Sequence, residues 1–118
     1  GRDGLERNQA LAAELGDRCV SFANQLSLRQ TAAIMSCLNA YVGVDTGPTH
    51  IVSAFDIPLV GLYHALSKTH HTGPLQHPQD YCINHPADEE SADDNIPMAD
   101  ISVDQVADQL VRALGERV

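Results

Sequence analysis

Two short apolar runs constrain the fold of this chain more than any other feature of its sequence. Tyr41–Val44 and Leu59–Tyr63 lack the alternation of polar and apolar residues that marks a half-exposed strand. A stretch with helical character, Ile51–Phe55, lies between them. Strand, short helix and strand in this order match the length of a crossover between parallel strands. We therefore predict an α/β domain with a parallel sheet that is covered on both faces.

Helical patterns surround this unit. Start and stop signals predict a helix over residues 3–16, and Ser-x-x-Gln capping boxes predict helices that begin after Ser27 and after Ser102. The expected inward faces are Leu28, Ala32, Met35 and Leu38 in the second helix and Val103, Val106, Leu110 and Leu114 in the last.

Other segments are shorter or irregular. Residues 18–22 and 81–84 are rich in β-formers and are predicted strands. Residues 64–100 are otherwise rich in Pro, His, Gly and acids, which predicts an irregular, loop-rich segment. Because a helix precedes the first apolar strand, we expect the sheet to lack the early strands of a complete Rossmann-like domain. We therefore expect residues 1–118 to form a single partial domain cut from a longer protein.

The charge of the chain excludes some classes of partner. Its 118 residues include 16 Asp and Glu against 7 Lys and Arg, a formal net charge of −9. That balance argues against a protein that binds nucleic acid through a basic face. No apolar run reaches the roughly 18 residues of a transmembrane helix, so no membrane-spanning segment is predicted. Eight of the acids lie within residues 88–108, so the acidity is local and says little about ligands elsewhere.

Cysteine and histidine spacing gives no metal-binding pattern. The three cysteines, Cys19, Cys37 and Cys82, are odd in number and widely spaced, which favours reduced thiols and a cytosolic compartment. We expect Cys37 to be a small core residue. The six histidines match no structural zinc spacing, so we predict no metal site held by the protein.

The segment with chemistry in its pattern is Asp45-Thr46-Gly47-Pro48-Thr49-His50, which follows a strand and opens a helix. Thr46 is expected to cap the helix, Gly47 to let a ligand approach the backbone, and Pro48 to preset the first turn. The free amides there favour an anion such as a diphosphate. Asp45 would accept hydroxyl hydrogens of a sugar or hold a bridging cation, and His50 would donate to a departing phosphate. A Gly-Pro helix start is also ordinary, so the pattern alone leaves both interpretations open.

These residues resemble the Asp-Ser/Thr-Gly-Pro-x-His signature of glycosyltransferase family 9, the ADP-heptose:lipopolysaccharide heptosyltransferases. The helix opened by Ser27-Leu28 is similar to the family's Ser-Leu helix. Ile57–Tyr63 resembles the family's Val-Pro-x-Val-x-Leu-Phe strand, and Thr72-Gly73-Pro74 matches a Thr-Gly-Pro in the following loop. The resemblance extends over nearly the whole chain.

The resemblance implies the carboxyl-terminal, donor-binding half of a GT-B enzyme with two Rossmann-like domains. The parent would be an inverting transferase of bacterial lipopolysaccharide core biosynthesis. It would take a nucleotide sugar, ADP-heptose, and serve a lipid-linked saccharide acceptor through the missing amino-terminal domain. The parent enzyme would be cytoplasmic and would act at the inner membrane as a peripheral protein. No cofactor is expected to be required, and whether Mg²⁺ accompanies the donor diphosphate is left open. The fragment alone is expected to be inactive.

The resemblance also implies roles for individual residues. Asp45 would contact the donor sugar, Thr46 and Gly47 the diphosphate, and His50 the same region, as the one candidate catalytic residue in the chain. Glu6 would lie near the nucleoside and Leu26 would line the base pocket. The full set of candidate substrate-binding residues, with Lys68 added from the loop after the last apolar strand, is Asp45, Thr46, Gly47, Pro48, His50, Glu6, Leu26 and Lys68. Lys68 and the pair His70-His71 lie in a polar loop, where solvated side chains are the favoured interpretation; the alternative is that they meet the donor phosphate or the acceptor when the two domains close.

One segment departs from the family pattern. The family continues its last strand into Gly-Pro-Thr-Asp, whereas this chain reads His64-Ala65-Leu66-Ser67, so no contact is carried over to that loop. The lysine-bearing loop that neutralises the donor phosphates belongs to the missing first strand. Three alternatives stay open: another GT-B transferase, a sugar-nucleotide epimerase, or a non-catalytic nucleotide-binding module.

Overall fold

The computed structural model describes residues 2–66, 68–69, 73–74 and 76–115, and for residues 2 and 3 the backbone alone. The chain forms two compact units, Gly1–Ala33 and Ile34–Val118, which are described separately. His70, His71 and Thr72 lie outside the described residues, so the interpretations placed on them stay predictions.

Two helices account for most of the first unit. Helix α1 spans Arg2–Leu15 and ends at Gly16, whose φ of 56° suits a helix terminus, as predicted. Helix α2 spans Leu28–Met35 and crosses into the second unit. The capping box is confirmed: Ser27 Oγ accepts the backbone N–H of Gln30 at 3.2 Å, and Gln30 Oε1 accepts that of Ser27 at 2.9 Å.

The predicted strand at residues 18–22 is wrong. Arg18 ends a 3-10 turn that spans Gly16–Arg18, and the chain then runs through irregular backbone into a turn. Val20 and Phe22 are exposed, at 72% and 46%. A β-rich sequence becomes a strand only where a neighbouring strand offers a hydrogen-bonded ladder and a packed face, and no such ladder is present within the described part of this unit.

A parallel sheet organises the second unit. Its elements in chain order are β1 (Tyr41–Val44), α3 (Gly47–Val52), β2 (Leu59–Tyr63), β3 (Ile83–Asn84) and α4 (Val103–Gly115). The strand order is β1-β2-β3, and both pairs are parallel. Tyr41 pairs with Leu59, and Leu62 pairs with Ile83. The predicted parallel, Rossmann-like α/β arrangement with its β1-α3-β2 crossover is confirmed.

Each face of the sheet has its own apolar cluster, because successive side chains of a strand point to opposite faces. On one face, Leu59 packs with Met35, Val52 and Ile57. On the other face, the cluster that includes α4 consists of Val60, Tyr81, Ile83, Ile101 and Ala113. Leu59, Val60 and Tyr63 are all 0% exposed, so β2 is the doubly buried strand that its sequence predicted.

Strand β1 is covered on one face only, contrary to the prediction. Val42 and Val44 remain 41% and 44% exposed, in alternation with less exposed neighbours. The reason is topological, since β1 is an edge of the described sheet and α4 packs against β2, the central strand. The same apolar run therefore gives full burial in one strand and half burial in the other.

The inward faces of two helices also differ from the prediction. In α4, Val106 and Leu110 pack inward as expected, but Val103 is 83% exposed and the buried residue of the last turn is Ala113. In α2, Leu28 is 73% exposed, whereas Met35 is buried as predicted. Among the described helices, none has both the length and the apolar character that crossing a bilayer requires.

None of the three cysteines, Cys19, Cys37 and Cys82, is in a disulfide, and their surroundings differ. Cys37 is exposed, so its predicted place in the core is wrong; it lies just beyond the end of α2, where the chain turns towards β1. Cys82 is half-buried. Burial, followed by the hydrogen bond and the charge of Asp80, raises the pKa of Cys82 to about 12.

These surroundings predict unequal alkylation of the two thiols. Because the thiolate is the nucleophile, iodoacetamide at pH 8 will label Cys37 well before Cys82 in the folded protein. Below its raised pKa, the thiolate fraction of Cys82 rises about tenfold per pH unit, so its labelling will still be accelerating at pH 10. Peptide mapping by mass spectrometry measures both rates, with urea-unfolded protein as the control. Equal rates in the folded protein at pH 8 would contradict the assignment.

Candidate functional site

The carboxyl end of β1 leads directly into the turn that opens α3. Asp45 follows the strand, and His50 lies in the first turns of the helix. His50 Nε2 is 3.2 Å from Asp45 Oδ1. The Asp45 side chain is 20% exposed and that of His50 is 55% exposed, so the pair is anchored at the carboxylate and open to solvent at the imidazole. Parallel α/β sheets bind their ligands at this edge.

The details of the helix start differ in part from the sequence interpretation. Pro48 lies in the first turn, as predicted. Thr46 is the residue before the helix, yet its hydroxyl makes no capping hydrogen bond and donates instead to the carbonyl of Val44 at 3.3 Å. A Cβ at Gly47 would meet nothing within 4 Å, so its backbone is open to approach. Because α3 is 6 residues long, its dipole and free amides alone make a weak anion site.

A buried hydroxyl behind the turn was missed by sequence reasoning. Thr49 is 1% exposed, and its hydroxyl donates to the carbonyl of Val44. The hydroxyl of Tyr41 lies 3.1 Å from Thr49 Oγ1. The sequence did hold a signal for it: Thr49 is a hydroxyl residue that lies within the Asp45–His50 segment, directly before His50.

An open cleft adjoins Asp45 at the same edge of the sheet. It has a volume of about 260 Å³ and is lined by Val44, Asp45, Leu62, His64 and Met98. Three of these side chains are apolar, and the carboxylate and the imidazole supply polar groups. Such a mixture of apolar wall and few polar groups is typical of small-molecule sites.

Two histidines that follow strands β2 and β3 contact the Ile96-Pro97 backbone, which directly precedes the cleft residue Met98. His64 follows β2, and its Nε2 lies 2.9 Å from the carbonyl of Ile96. His85 follows β3, and its Nε2 lies 3.1 Å from the carbonyl of Pro97. Each Nδ1 accepts a backbone N–H two residues further on, so the hydrogen on Nε2 is the one that each ring donates to the carbonyl. Nε2 of His85 also lies 3.4 Å from Asp100 Oδ2. His64 stands where the chain departs from the family pattern, and it now has a structural role.

A second tyrosine shares the buried face of Tyr41 without sharing its hydrogen bond. Tyr63 is 0% exposed, and its hydroxyl has no hydrogen-bond partner of oxygen or nitrogen among the described residues. It lies beside the thiol of Cys82. Burial, with smaller contributions from the charges of Cys82 and Asp45, raises the pKa of Tyr63 well above its usual value.

The other predicted site residues lie apart in the sequence. Glu6 is an exposed residue of α1, and Leu26 is a half-buried residue in the bend before α2; both belong to the first unit. Lys68 is half-buried in the segment after β2. The structure thus groups Asp45, Thr46, Gly47, Pro48 and His50 in one turn. Within the described ranges, no three His, Cys, Asp or Glu side chains converge as metal ligands would.

Comparison with known sequences places this turn in a family. The family model described as glycosyltransferase family 9 (heptosyltransferase) matches residues 1–98. The chain belongs to glycosyltransferase family 9. The match includes β1, the Asp45–His50 segment and β2, and the Rossmann-like sheet agrees with the GT-B fold of family 9.

One curated family 9 relative is lipooligosaccharide heptosyltransferase 2 of Haemophilus influenzae (strain ATCC 51907 / DSM 11121 / KW20 / Rd). It is 36% identical to this chain over 72 residues, which cover 61% of the chain and 20% of the relative. The matched part therefore spans about a fifth of the relative's length. No solved structure gives a significant match.

Proposed function

We propose that this chain is the donor-binding part of an inverting heptosyltransferase that uses ADP-heptose in building the lipopolysaccharide core. Family membership supports sugar transfer, and the name of the Haemophilus relative supports a heptose. The observation that carries the proposal is the Asp45–His50 pair, 3.2 Å apart at the edge where α/β sheets bind ligands. The whole enzyme would work in the cytoplasm at the inner membrane, on a lipid-linked saccharide acceptor.

Asp45 has the chemistry of a sugar ligand. An ionised carboxylate accepts hydrogen bonds only, and sugar hydroxyls are donors that it can take in pairs. The cleft of about 260 Å³ beside Asp45 offers apolar walls from Val44 and Leu62 for the carbon face of a sugar ring. We therefore assign Asp45 to the donor sugar.

His50 and the turn serve the departing nucleoside diphosphate. In the proposed displacement, the acceptor oxygen attacks the anomeric carbon, and the bond from that carbon to the phosphate oxygen breaks. The acceptor's proton goes to a base supplied by another part of the enzyme, and negative charge develops on the diphosphate. The exposed imidazole of His50 would donate a hydrogen bond to that charge.

The rival proposal is a non-catalytic nucleotide-binding module. It predicts nucleotide binding without sugar transfer, whereas the transferase predicts both. An epimerase would bind the same donor but would convert its sugar with no acceptor present.

Titration of the full-length protein with ADP, UDP and GDP tests the proposal. We expect ADP to bind tightest and to protect the amides of Asp45–His50 from hydrogen exchange. Each titration is run with and without Mg²⁺, because the cation's part is open. Transfer of heptose from ADP-heptose is then measured with and without a lipid-linked acceptor. Absence of protection at Asp45–His50 under saturating ADP would count against this segment as the donor site.

A further inference from the structure

We propose that Thr49 and Tyr41 are positioning residues for the Asp45–His50 pair: their linked hydroxyls hold the turn in the geometry that meets the donor. The inference rests on the proposed function of that pair. It concerns a residue at the unspecified position of the family signature, Thr49, and one at the start of the strand before it, Tyr41.

The direction of the hydrogen bonds is fixed by counting hydrogens. A threonine hydroxyl has one hydrogen, and Thr49 donates it to the carbonyl of Val44. The contact of 3.1 Å between the two hydroxyls is therefore one in which Tyr41 donates to Thr49. The result is a chain of two bonds that runs from Tyr41 through Thr49 to the backbone of β1. With Thr49 only 1% exposed, its hydroxyl is shielded from competing water.

The chain of hydrogen bonds ties together the neighbours of both site residues. Val44, whose carbonyl accepts, immediately precedes Asp45, and Thr49, which donates, immediately precedes His50. The Val44–Thr49 bond therefore fixes the distance between the two backbone segments that bear the pair. Thr46 adds a second donor to the same carbonyl at 3.3 Å. This arrangement keeps the two backbone segments close enough for the Asp45 and His50 side chains to come within 3.2 Å.

Tyr41 reaches Thr49 because the strand leaves room for it. Its ring lies along β1 over Gly43, where a Cβ would collide with the tyrosine hydroxyl. A tyrosine two residues before a glycine can thus lie along its own strand and span from the start of β1 to the helix beyond it. The arrangement directs one hydroxyl to the turn and away from solvent.

A merely structural role is the competing explanation, and substitutions separate the two. In the full-length protein with ADP-heptose and its acceptor, Thr49→Val keeps the shape of the side chain but removes the hydroxyl. We expect kcat/KM to fall roughly 10-fold, since displacement of reacting groups by about 1 Å can cost about 100-fold. Thr49→Ser restores the hydroxyl and will recover most of the loss. Tyr41→Phe removes the outer bond alone and will lower kcat/KM about threefold.

Tyr63→Phe is the matched control. It removes a buried hydroxyl from the same face of the sheet, but one without an oxygen or nitrogen partner among the described residues. We expect its kcat/KM to equal that of the wild type. If Tyr63→Phe and Tyr41→Phe lose the same activity, the loss reflects the packing of the face and the proposal is overturned.

A double-mutant cycle with Asp45→Asn decides the mechanism. If Thr49 acts through the Asp45–His50 pair, Thr49→Val will lower kcat/KM only slightly in the Asp45→Asn background, because the pair that Thr49 positions is already disrupted. Losses that multiply independently would overturn the positioning role. An impaired Asp45→Asn with an unchanged Thr49→Val would overturn it while leaving the proposed function intact. Wild-type transfer by Asp45→Asn would instead overturn the proposed function. If Thr49→Val fails to fold, Tyr41→Phe takes its place in the cycle.

Discussion

Under the proposed function, replacing Asp45 with asparagine will lower the rate of heptose transfer by the full-length protein about 100-fold or more. The substitution keeps the size of the side chain but removes the charge that accepts hydroxyl hydrogens and faces His50 at 3.2 Å. A hydrogen bond to a charged group contributes about 1.5–3 kcal/mol, and the proposed contact with the donor sugar includes two of them. The measurement is steady-state transfer from ADP-heptose, with kcat and KM determined separately.

Asp94→Asn provides the comparison for this experiment. It makes the same change of charge at an exposed position in the acidic segment after β3, so transfer should continue at the wild-type rate. A general effect of net charge would slow both variants alike. If Asp45→Asn matches the wild type in kcat and KM, Asp45 has no part in the reaction.

The largest loss of stability is expected from His85→Leu. The side chain of His85 is 1% exposed, and its ring bridges the N–H of Ala87 at 3.0 Å and the carbonyl of Pro97 at 3.1 Å. Leucine fills the space but removes both bonds. The N–H of Ala87 loses its acceptor, the carbonyl of Pro97 keeps only the N–H of Asp100, and the 3.4 Å contact of Nε2 with the Asp100 carboxylate is lost. An unsatisfied group costs about 1–3 kcal/mol, so local stability should drop by about 2 kcal/mol. That corresponds to about 30-fold faster hydrogen exchange of the amides after β3.

His77→Leu makes the same substitution at a less buried histidine. His77 makes the same two kinds of bond, accepting the N–H of Gln79 at 3.1 Å and meeting the carbonyl of Phe55 at 2.9 Å. His77 is only half-buried, so water can hydrogen-bond the N–H and the carbonyl that lose their partner in the leucine variant. Its exchange should change by less than about tenfold. Equal effects at both positions would mean that burial does not determine the cost.

Local signals in the sequence predicted the elements that depend on local chemistry. The capping boxes at Ser27 and Ser102 open their helices, and the apolar run of β2 is buried on both faces. The Asp45–His50 segment stands where the pattern placed it, between a strand and a helix. These features rest on residues within a few positions of one another, so a single sequence contains the information.

The features that the sequence did not predict correctly depend on the structure that surrounds an element. The sequence of β1 is as apolar as that of β2, and only its place at the edge of the sheet leaves Val42 exposed. Residues 18–22 are rich in β-formers, but the described part of the chain offers them no neighbouring strand to pair with. The link from Tyr41 to Thr49 joins residues in different elements, and no spacing rule predicts a hydrogen bond between them.

Gly43 and Gly61 face each other across β1 and β2 in the parallel register, and each lies under the ring of a tyrosine from its own strand. At Gly61 a Cβ would come within 2.7 Å of the Tyr63 ring and 3.0 Å of the Cys82 sulfur. A substitution at either glycine therefore requires a change at the tyrosine that lies over it. A lineage that gains a side chain at position 43 or 61 must first shrink or reorient the aromatic neighbour. Homologous sequences should therefore show covariation between positions 41 and 43 and between positions 61 and 63.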